Sequence, residues 1–151
     1  MKTLALVTFS LLSSMLLLST NAHAEAATPI GTWATVSDST GKVASTVRLW
    51  LEDGKLVGRI ASLVREEGED PNPLCEECPG DQKDQPVIGL EILSGLIQDG
   101  SEWNGGLILD PENGKHYRCI IRVADDNQTM EVRGFIGFAL FGRSQTWHRR
   151  D

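Results

Sequence analysis

The chain has 151 residues and a formal net charge of −7, with 21 acidic side chains against 14 lysines and arginines. This acidic balance argues against nucleic acid or anionic lipid as the main partner, because both reward positive charge. The length suits one domain with a single core.

The first residues have the pattern of an export signal. Lys2 precedes an apolar run over residues 3–18, and Ala22-His23-Ala24 supplies the small residues of a cleavage site. The run is short for a membrane span, and serines interrupt it. We therefore expect cleavage after Ala24, a periplasmic or secreted domain over residues 25–151, and no membrane span in that domain.

Short runs of β-type sequence, separated by turn signals, fill the remaining chain. Asp53-Gly54 is a two-residue hairpin signal, and Asp110-Pro111 to Gly114 has the composition of a longer hairpin turn. Sequential strands joined by such turns predict an all-β domain, a single antiparallel up-and-down β-barrel of about eight strands. The predicted strands cover residues 30–36, 43–51, 56–63, 87–92 with extension to 97, 102–109, 115–123, 130–135 and 143–149.

A long acidic loop interrupts this series over residues 65–86. Its eight acidic side chains face only two cations, Arg65 and Lys83. Loops of that length inside a compact domain are usually functional or disordered. Calcium could use clustered carboxylates such as those of Asp70, Glu76, Glu77 and Asp81, but their spacing matches no EF-hand. We expect a solvated loop, no metal and no cofactor.

Cys75 and Cys78 lie within this loop and allow three interpretations: redox pair, zinc ligands or structural disulfide. Neighbouring acids raise thiol pKa values, which disfavours redox chemistry. Zinc needs two more ligands, whereas the third cysteine, Cys119, alternates with core positions and the remaining histidines of the domain are His116 and His148. We expect a Cys75–Cys78 disulfide and a free Cys119.

Several motifs together resemble the domain-of-unknown-function family 2147 over essentially the whole exported domain. The resemblance implies a small exported bacterial protein with a lipocalin-like, calycin-type barrel and no established activity. The motifs are Gly31-x-Trp33, Cys75-x-x-Cys78, Val87-Ile88-Gly89, Gly106-x-Ile108-x-Asp110-Pro111-x-Asn113-Gly114-Lys115-x-Tyr117-x-Cys119, Val132-Arg133-Gly134-Phe135-Ile136-Gly137 and Gly142-Arg143-x-Gln145-x-Trp147.

A second likeness is to lipocalins proper, where a Gly-x-Trp on the first strand packs against an arginine of the last strand. Here Trp33 has two such partners in sequence, Arg143 and Arg149. A guanidinium over an indole forms a favourable cation–π pair.

Aromatic and cationic side chains on the predicted strands define a candidate pocket. If they point inward, the barrel mouth would bind a small, partly apolar molecule, and an inward arginine would select an anionic group. The alternative is that Arg118 and Arg133 lie outside as charge partners of Glu102 or Glu131. The candidate ligand-binding residues are Trp33, Tyr117, Arg133, Phe135, Arg143, Gln145 and Trp147.

Other classes of function fit less well. A barrel of eight strands is narrow enough to be filled by side chains, as an envelope-structural or interaction module would have it. An outer-membrane barrel would need an outward apolar band, but charges occur on several strands. For catalysis, Ser144 and His148 share a face roughly 13 Å apart, too far for a nucleophile and its base. We expect no enzyme, and the sequence does not indicate an oligomeric state.

Overall fold

In the computed structural model, which describes residues 27–151, the chain forms eight strands and two short 3₁₀ turns, Gly80–Gln82 and Ala139–Phe141. The predicted signal peptide at residues 1–24 lies outside the described residues. The strands are β1 (Gly31–Val36), β2 (Val43–Glu52), β3 (Lys55–Leu63), β4 (Glu91–Asp99), β5 (Glu102–Asp110), β6 (Lys115–Val123), β7 (Thr129–Phe135) and β8 (Arg143–Arg149).

Each strand pairs antiparallel with its neighbour in sequence, and β8 returns to pair with β1, which closes the barrel. The predicted up-and-down barrel is therefore confirmed. The turn signals act as expected: Asp53 and Gly54 both adopt positive φ, as a two-residue hairpin turn requires, and Gly114 does so in the turn after β5. Neither 3₁₀ turn has the length or apolarity to cross a membrane, and residues 27–151 contain no other helical segment.

The strand order gives the barrel two different ends. The tight turns after β2, β4 and β6 lie at one end, which we call the closed end. The connections 37–42, 64–90, 111–114 and 136–142 lie at the other end, which we call the open end, and all of them except 111–114 are longer than the turns at the closed end. Apolar side chains fill the lumen near the closed end and are at most 1% exposed: Val47, Leu49, Leu56, Leu93, Leu96, Ile121 and Met130.

Trp33 and Arg149 seal the closed end. The Arg149 guanidinium carbon lies 4.2 Å from the centre of the Trp33 ring, and the indole Nε1 of Trp33 donates to the Pro29 carbonyl at 2.8 Å. Arg149 also donates to the carbonyls of Thr28 and Asn127, both at 2.6 Å. Of the two arginines in question, Arg149 is thus the partner of Trp33.

The connection between β3 and β4 is an ordered structure that closes on itself. Backbone hydrogen bonds join Cys75 to Gln85 at 2.8 Å and Val87 to Pro73 at 2.9 Å. The predicted Cys75–Cys78 disulfide is present, and Cys119 is free and buried, as expected. The prediction of a strand from residue 87 was wrong: Val87 is buried as part of this connection, and β4 begins at Glu91.

Candidate functional site

A cavity of about 960 Å³ occupies the half of the lumen near the open end. Its floor is apolar: Ile60 comes from β3, Ile108 from β5, Val132 from β7 and Trp147 from β8. Below this level the side chains named above fill the lumen. The barrel is therefore solid at one end and hollow at the other, and the hollow part has the size and composition of a small-molecule site.

A chain of polar contacts climbs from the floor to the mouth. The Trp147 indole Nε1 donates to Gln145 Oε1 at 3.1 Å, and Gln145 Nε2 donates to Asp38 Oδ2 at 2.8 Å. Arg143 forms an ion pair with the same carboxylate. On the neighbouring strands β1 and β2 the hydroxyls of Thr35 and Ser45 share a hydrogen bond of 2.7 Å. These groups give the upper wall polar partners that fix the orientation of a bound molecule.

Acidic groups outnumber basic ones around the mouth. The cationic lining residues are Lys42, Arg65 and Arg143, and the anionic ones are Asp38, Glu66, Glu69, Asp110 and Glu112. Because Arg143 already pairs with Asp38, its charge is locally compensated. An anionic ligand therefore competes with Asp38 for the guanidinium.

Four of the seven predicted site residues line this cavity: Tyr117, Arg143, Gln145 and Trp147. The Tyr117 hydroxyl accepts a hydrogen bond of 3.2 Å from Asn113 in the turn after β5. Trp33 lies at the closed end, beneath the filled part of the lumen. The structure thus brings residues of β6 and β8 together in one wall and leaves Trp33 apart from them.

Arg133 and Phe135 do not line the cavity. On β7 they alternate with Val132 and Gly134, both of which line it, so their side chains lie on the outer face. Arg133 donates to the Ala139 carbonyl at 2.8 Å, and the carbon of the Arg118 guanidinium lies 5.4 Å from the centre of the Phe135 ring. Of the two positions considered for Arg133, inside the pocket or on the outer face, the structure shows the outer face.

From the sequence, Arg118 and Arg133 are the candidates for the charge partner of Glu102 or Glu131. In the structure the partner of both is Arg122, whose Nη2 lies 2.7 Å from Glu102 Oε2 and whose Nη1 lies 3.5 Å from Glu131 Oε2. Sequence reasoning also missed Asp38, Thr35 and Ser45 as lining residues. Ser45 lies on the same face of β2 as Val47, so the alternation of side chains along that strand could have predicted it as a lining residue. Asp38 lies in a turn, where no periodicity indicates direction.

In the described part of the chain, the residues that catalysis or metal binding would use are Ser144, the histidine, cysteine and acidic side chains, and Cys119. The Ser144 hydroxyl faces outward, where it donates to Glu131 at 2.7 Å and accepts from Arg133 at 2.9 Å. Residues 27–151 contain no group of three or more histidine, cysteine or acidic side chains placed to hold a metal ion. Burial raises the pKa of the Cys119 thiol to about 12, which keeps it protonated.

A closed antiparallel up-and-down barrel of eight strands is a lipocalin-like fold. The solved structure of protein HP1028 from the human pathogen Helicobacter pylori, described as belonging to the lipocalin family, has this fold. Its TM-score is 0.69 and its identity 22%, over 81% of this chain and 82% of that one.

Residues 31–149 match the family of uncharacterized proteins conserved in bacteria, DUF2147, and the chain belongs to that family. No curated protein matches the chain.

Proposed function

We propose that the protein is an exported binding protein that holds one small, partly apolar molecule in the cavity at the open end. The observation that carries this proposal is the contrast within one cavity between an apolar floor and a polar mouth. Ligand sites generally have this form, with mostly apolar walls and a few convergent polar groups.

In this proposal the apolar part of the ligand lies on Trp147, Ile60 and Val132. Its polar part lies higher, where Gln145, Asp38 and Arg143 already form a connected set. An anionic group gains the Arg143 guanidinium only by displacing Asp38. A neutral or zwitterionic polar group uses both partners, and we infer that such a group is preferred.

Export is the second component of the proposal. The Cys75–Cys78 disulfide supports an oxidising compartment such as the periplasm or the exterior. The apolar run and the Ala22-His23-Ala24 site supply the route, through a signal peptide cleaved after Ala24. The lipocalin-like fold, typical of non-enzymatic binding proteins, supports a binding role without catalysis.

The alternatives receive less support from the same observations. A barrel that serves only as an interaction module needs no hollow half. An outer-membrane barrel needs an outward apolar band, but Arg48, Arg59, Arg122 and Glu131 lie at outward positions on their strands.

The test compares a larger side chain inside the cavity with the same side chain on the outer face of the same strand, which serves as the control. Ile108 lines the cavity, and its neighbour Leu107 is exposed on the opposite side of β5. We expect Ile108→Trp to raise the Kd of the neutral probe N-phenyl-1-naphthylamine by tenfold or more, because the added ring takes space the probe needs. Leu107→Trp should leave the Kd unchanged.

Probe fluorescence gives the Kd, and native mass spectrometry of protein purified from its own cells identifies any co-purifying molecule. Equal effects of the two substitutions, with both proteins folded, would show that the probe binds outside the lumen. Absence of probe binding together with a clean apo mass would overturn the binding proposal.

A further inference from the structure

The segment between β7 and β8 exposes a compact group of large apolar side chains at the open end. Ile136 is 68% exposed, Phe138 79%, Leu140 81% and Phe141 79%. We call residues 136–141 the apolar loop. Side chains of this size together present on the order of 600 Å² of apolar surface, which is the upper end of what a soluble monomer leaves in one exposed patch, and patches of that size are often functional.

The apolar loop has a fixed shape. Gly137 adopts φ of +75°, Phe141 N donates to the Phe138 carbonyl at 3.1 Å, and Gly142 N donates to the Ala139 carbonyl at 3.0 Å. Arg133, on the outer face of β7, reaches over to the same segment. Its Nε donates to the Ala139 carbonyl at 2.8 Å and its Nη2 to the Leu140 carbonyl at 3.3 Å.

These contacts matter for what can cover the loop. Three consecutive carbonyls, those of Phe138, Ala139 and Leu140, have donors within the protein. In hydrocarbon an unpaired backbone group costs several kcal/mol, so only a segment with its own partners can enter a bilayer. The apolar loop meets this condition for those carbonyls while its large side chains point outward.

The surroundings of the loop distinguish a lipid surface from a second copy of the chain. Two cations lie next to the loop: the Arg118 guanidinium over the Phe135 ring, and Arg133, which donates to the Ala139 carbonyl. Cations beside an inserting segment favour lipid phosphates. A patch on the order of 600 Å² on each copy is smaller than the roughly 800 Å² per partner of a stable interface between two copies. The net charge of −7 also opposes self-association and strongly anionic lipid.

We propose that the apolar loop is a membrane-docking site that inserts Phe138, Leu140 and Phe141 into the interface of a zwitterionic phospholipid bilayer. The acidic loop, between β3 and β4, lies across the barrel mouth from it in the strand order. Docking therefore places the cavity mouth beside lipid and keeps most carboxylates away from it. This proposal does not depend on whether the cavity is occupied.

The test compares two pairs of exposed apolar side chains on the purified protein. With phosphatidylcholine vesicles in a flotation assay, we expect Phe138→Ser/Phe141→Ser to weaken partitioning on the order of 100-fold, since each buried phenylalanine contributes about tenfold or more. The matched control is Leu51→Ser/Ile97→Ser, which removes exposed apolar groups near the closed end and should retain wild-type binding. Both variants are prepared as the exported form over residues 25–151, so that the apolar run over residues 3–18 does not contribute to vesicle binding.

A second measurement reports insertion directly in folded protein. Tryptophan in a Phe138→Trp variant should be quenched by brominated phosphatidylcholine, whereas tryptophan in an Ile97→Trp variant should not. Equal loss of binding in the two serine variants, or no added quenching at position 138, would overturn the proposal. So would light scattering that shows a dimer lost in the Phe138→Ser/Phe141→Ser protein, because a second copy would then cover the loop.

Discussion

Cys119 illustrates how a single lumen position carries information about the fold. It faces inward between Gly106 of β5 and Gly134 of β7, its paired residues in the neighbouring strands, and is 1% exposed. A Cβ on Gly106 would overlap the backbone of Ser94 and Leu96, so the glycine lets β4 and β5 approach closely beside Cys119. The same burial raises the pKa of the thiol from 9.0 to about 12, because the thiolate would lose its hydration.

This raised pKa predicts a loss of stability in alkali. The folded protein keeps the Cys119 proton to higher pH than the unfolded chain, so its contribution is complete below about pH 9 and is lost as the pH rises towards 12. Between about pH 8 and 10.5, wild type should lose roughly 2 kcal/mol more of its unfolding free energy than Cys119→Ala. Guanidinium unfolding at the two pH values measures the difference. Parallel losses would contradict a buried thiol at this position.

For single residues, the alternation of apolar and polar side chains predicted whether a side chain faces into or out of the barrel, but not how far along the barrel axis it lies. It correctly placed Tyr117 and Cys119 on the inner face of β6. Alternation also puts Arg133 and Val132 on opposite faces of β7. It did not show which face is inside, because Gly134, next to Arg133, has no side chain whose polarity would indicate the lumen. The folding of residues 136–142 back over the outer face has no periodic signal in the sequence. The choice between Arg143 and Arg149 had the same limit, since both face inward at different depths.

The disulfide loop, which is the part of the β3–β4 connection that carries Cys75 and Cys78, packs closely against the turn after β5. The Cys75 sulfur lies 3.4 Å from the Pro111 carbonyl oxygen, and Gly114 packs against the backbone of Glu77 and Cys78. Gly114 has a φ of +68°, and a Cβ placed on it would overlap the Glu77 carbonyl. The glycine is therefore required twice, by the turn and by the neighbouring loop.

A pair of alanine substitutions separates these two requirements. Gly100, in the turn after β4, has a similar φ of +61° and nothing within 4 Å of a built Cβ. Gly100→Ala should cost about 1 kcal/mol of unfolding free energy from backbone strain alone. Gly114→Ala should cost roughly 2 kcal/mol more, because the disulfide loop must move. Denaturant unfolding with the disulfide intact gives both values, and equal losses would mean that the loop does not rest on the turn.

Strands and tight turns were predictable because their signals are local. Asp53-Gly54 and Asp110 to Gly114 set two hairpins, and the strands on either side followed. The start of β4 was not predictable, since Val87 is apolar for a different reason: it packs within the connection from β3 instead of pairing in a strand. The apolar segment 136–142 likewise carried no periodic signal that would predict its exposure.

Across the whole molecule, closure of the barrel depends on a short seam. β1 and β8 pair at Trp33–Arg149 and Ala34–His148, at the closed end. Nearer the open end, Asp38 crosses from the β1–β2 connection to Gln145 and Arg143. The hollow half of the barrel is thus held at this seam by side chains, whereas the solid half is held by backbone pairing and by Arg149.

Arg149 should therefore stabilise the seam more than any surface arginine does. Its side chain is 10% exposed, and Arg149→Met would leave the carbonyls of Thr28, Ile30 and Asn127 without their donor. We expect a loss of roughly 3–5 kcal/mol, with hydrogen exchange accelerated most in β1 and β8 because their short ladder opens first. The matched control is Arg122→Met on the outer face, which breaks ion pairs to Glu102 and Glu131 and should cost less than about 1 kcal/mol.

Hydrogen exchange followed by mass spectrometry resolves the strands separately. If Arg149→Met accelerates exchange equally in β4 and β5, the barrel unfolds as one unit, and the seam is no weaker than the other strand pairs. If exchange rises in β1 and β8 alone, the seam is the point where the barrel opens. Since Asp38, Gln145 and Arg143 also line the cavity, an opening seam would widen the mouth, and a bound ligand that bridges these side chains should slow exchange there.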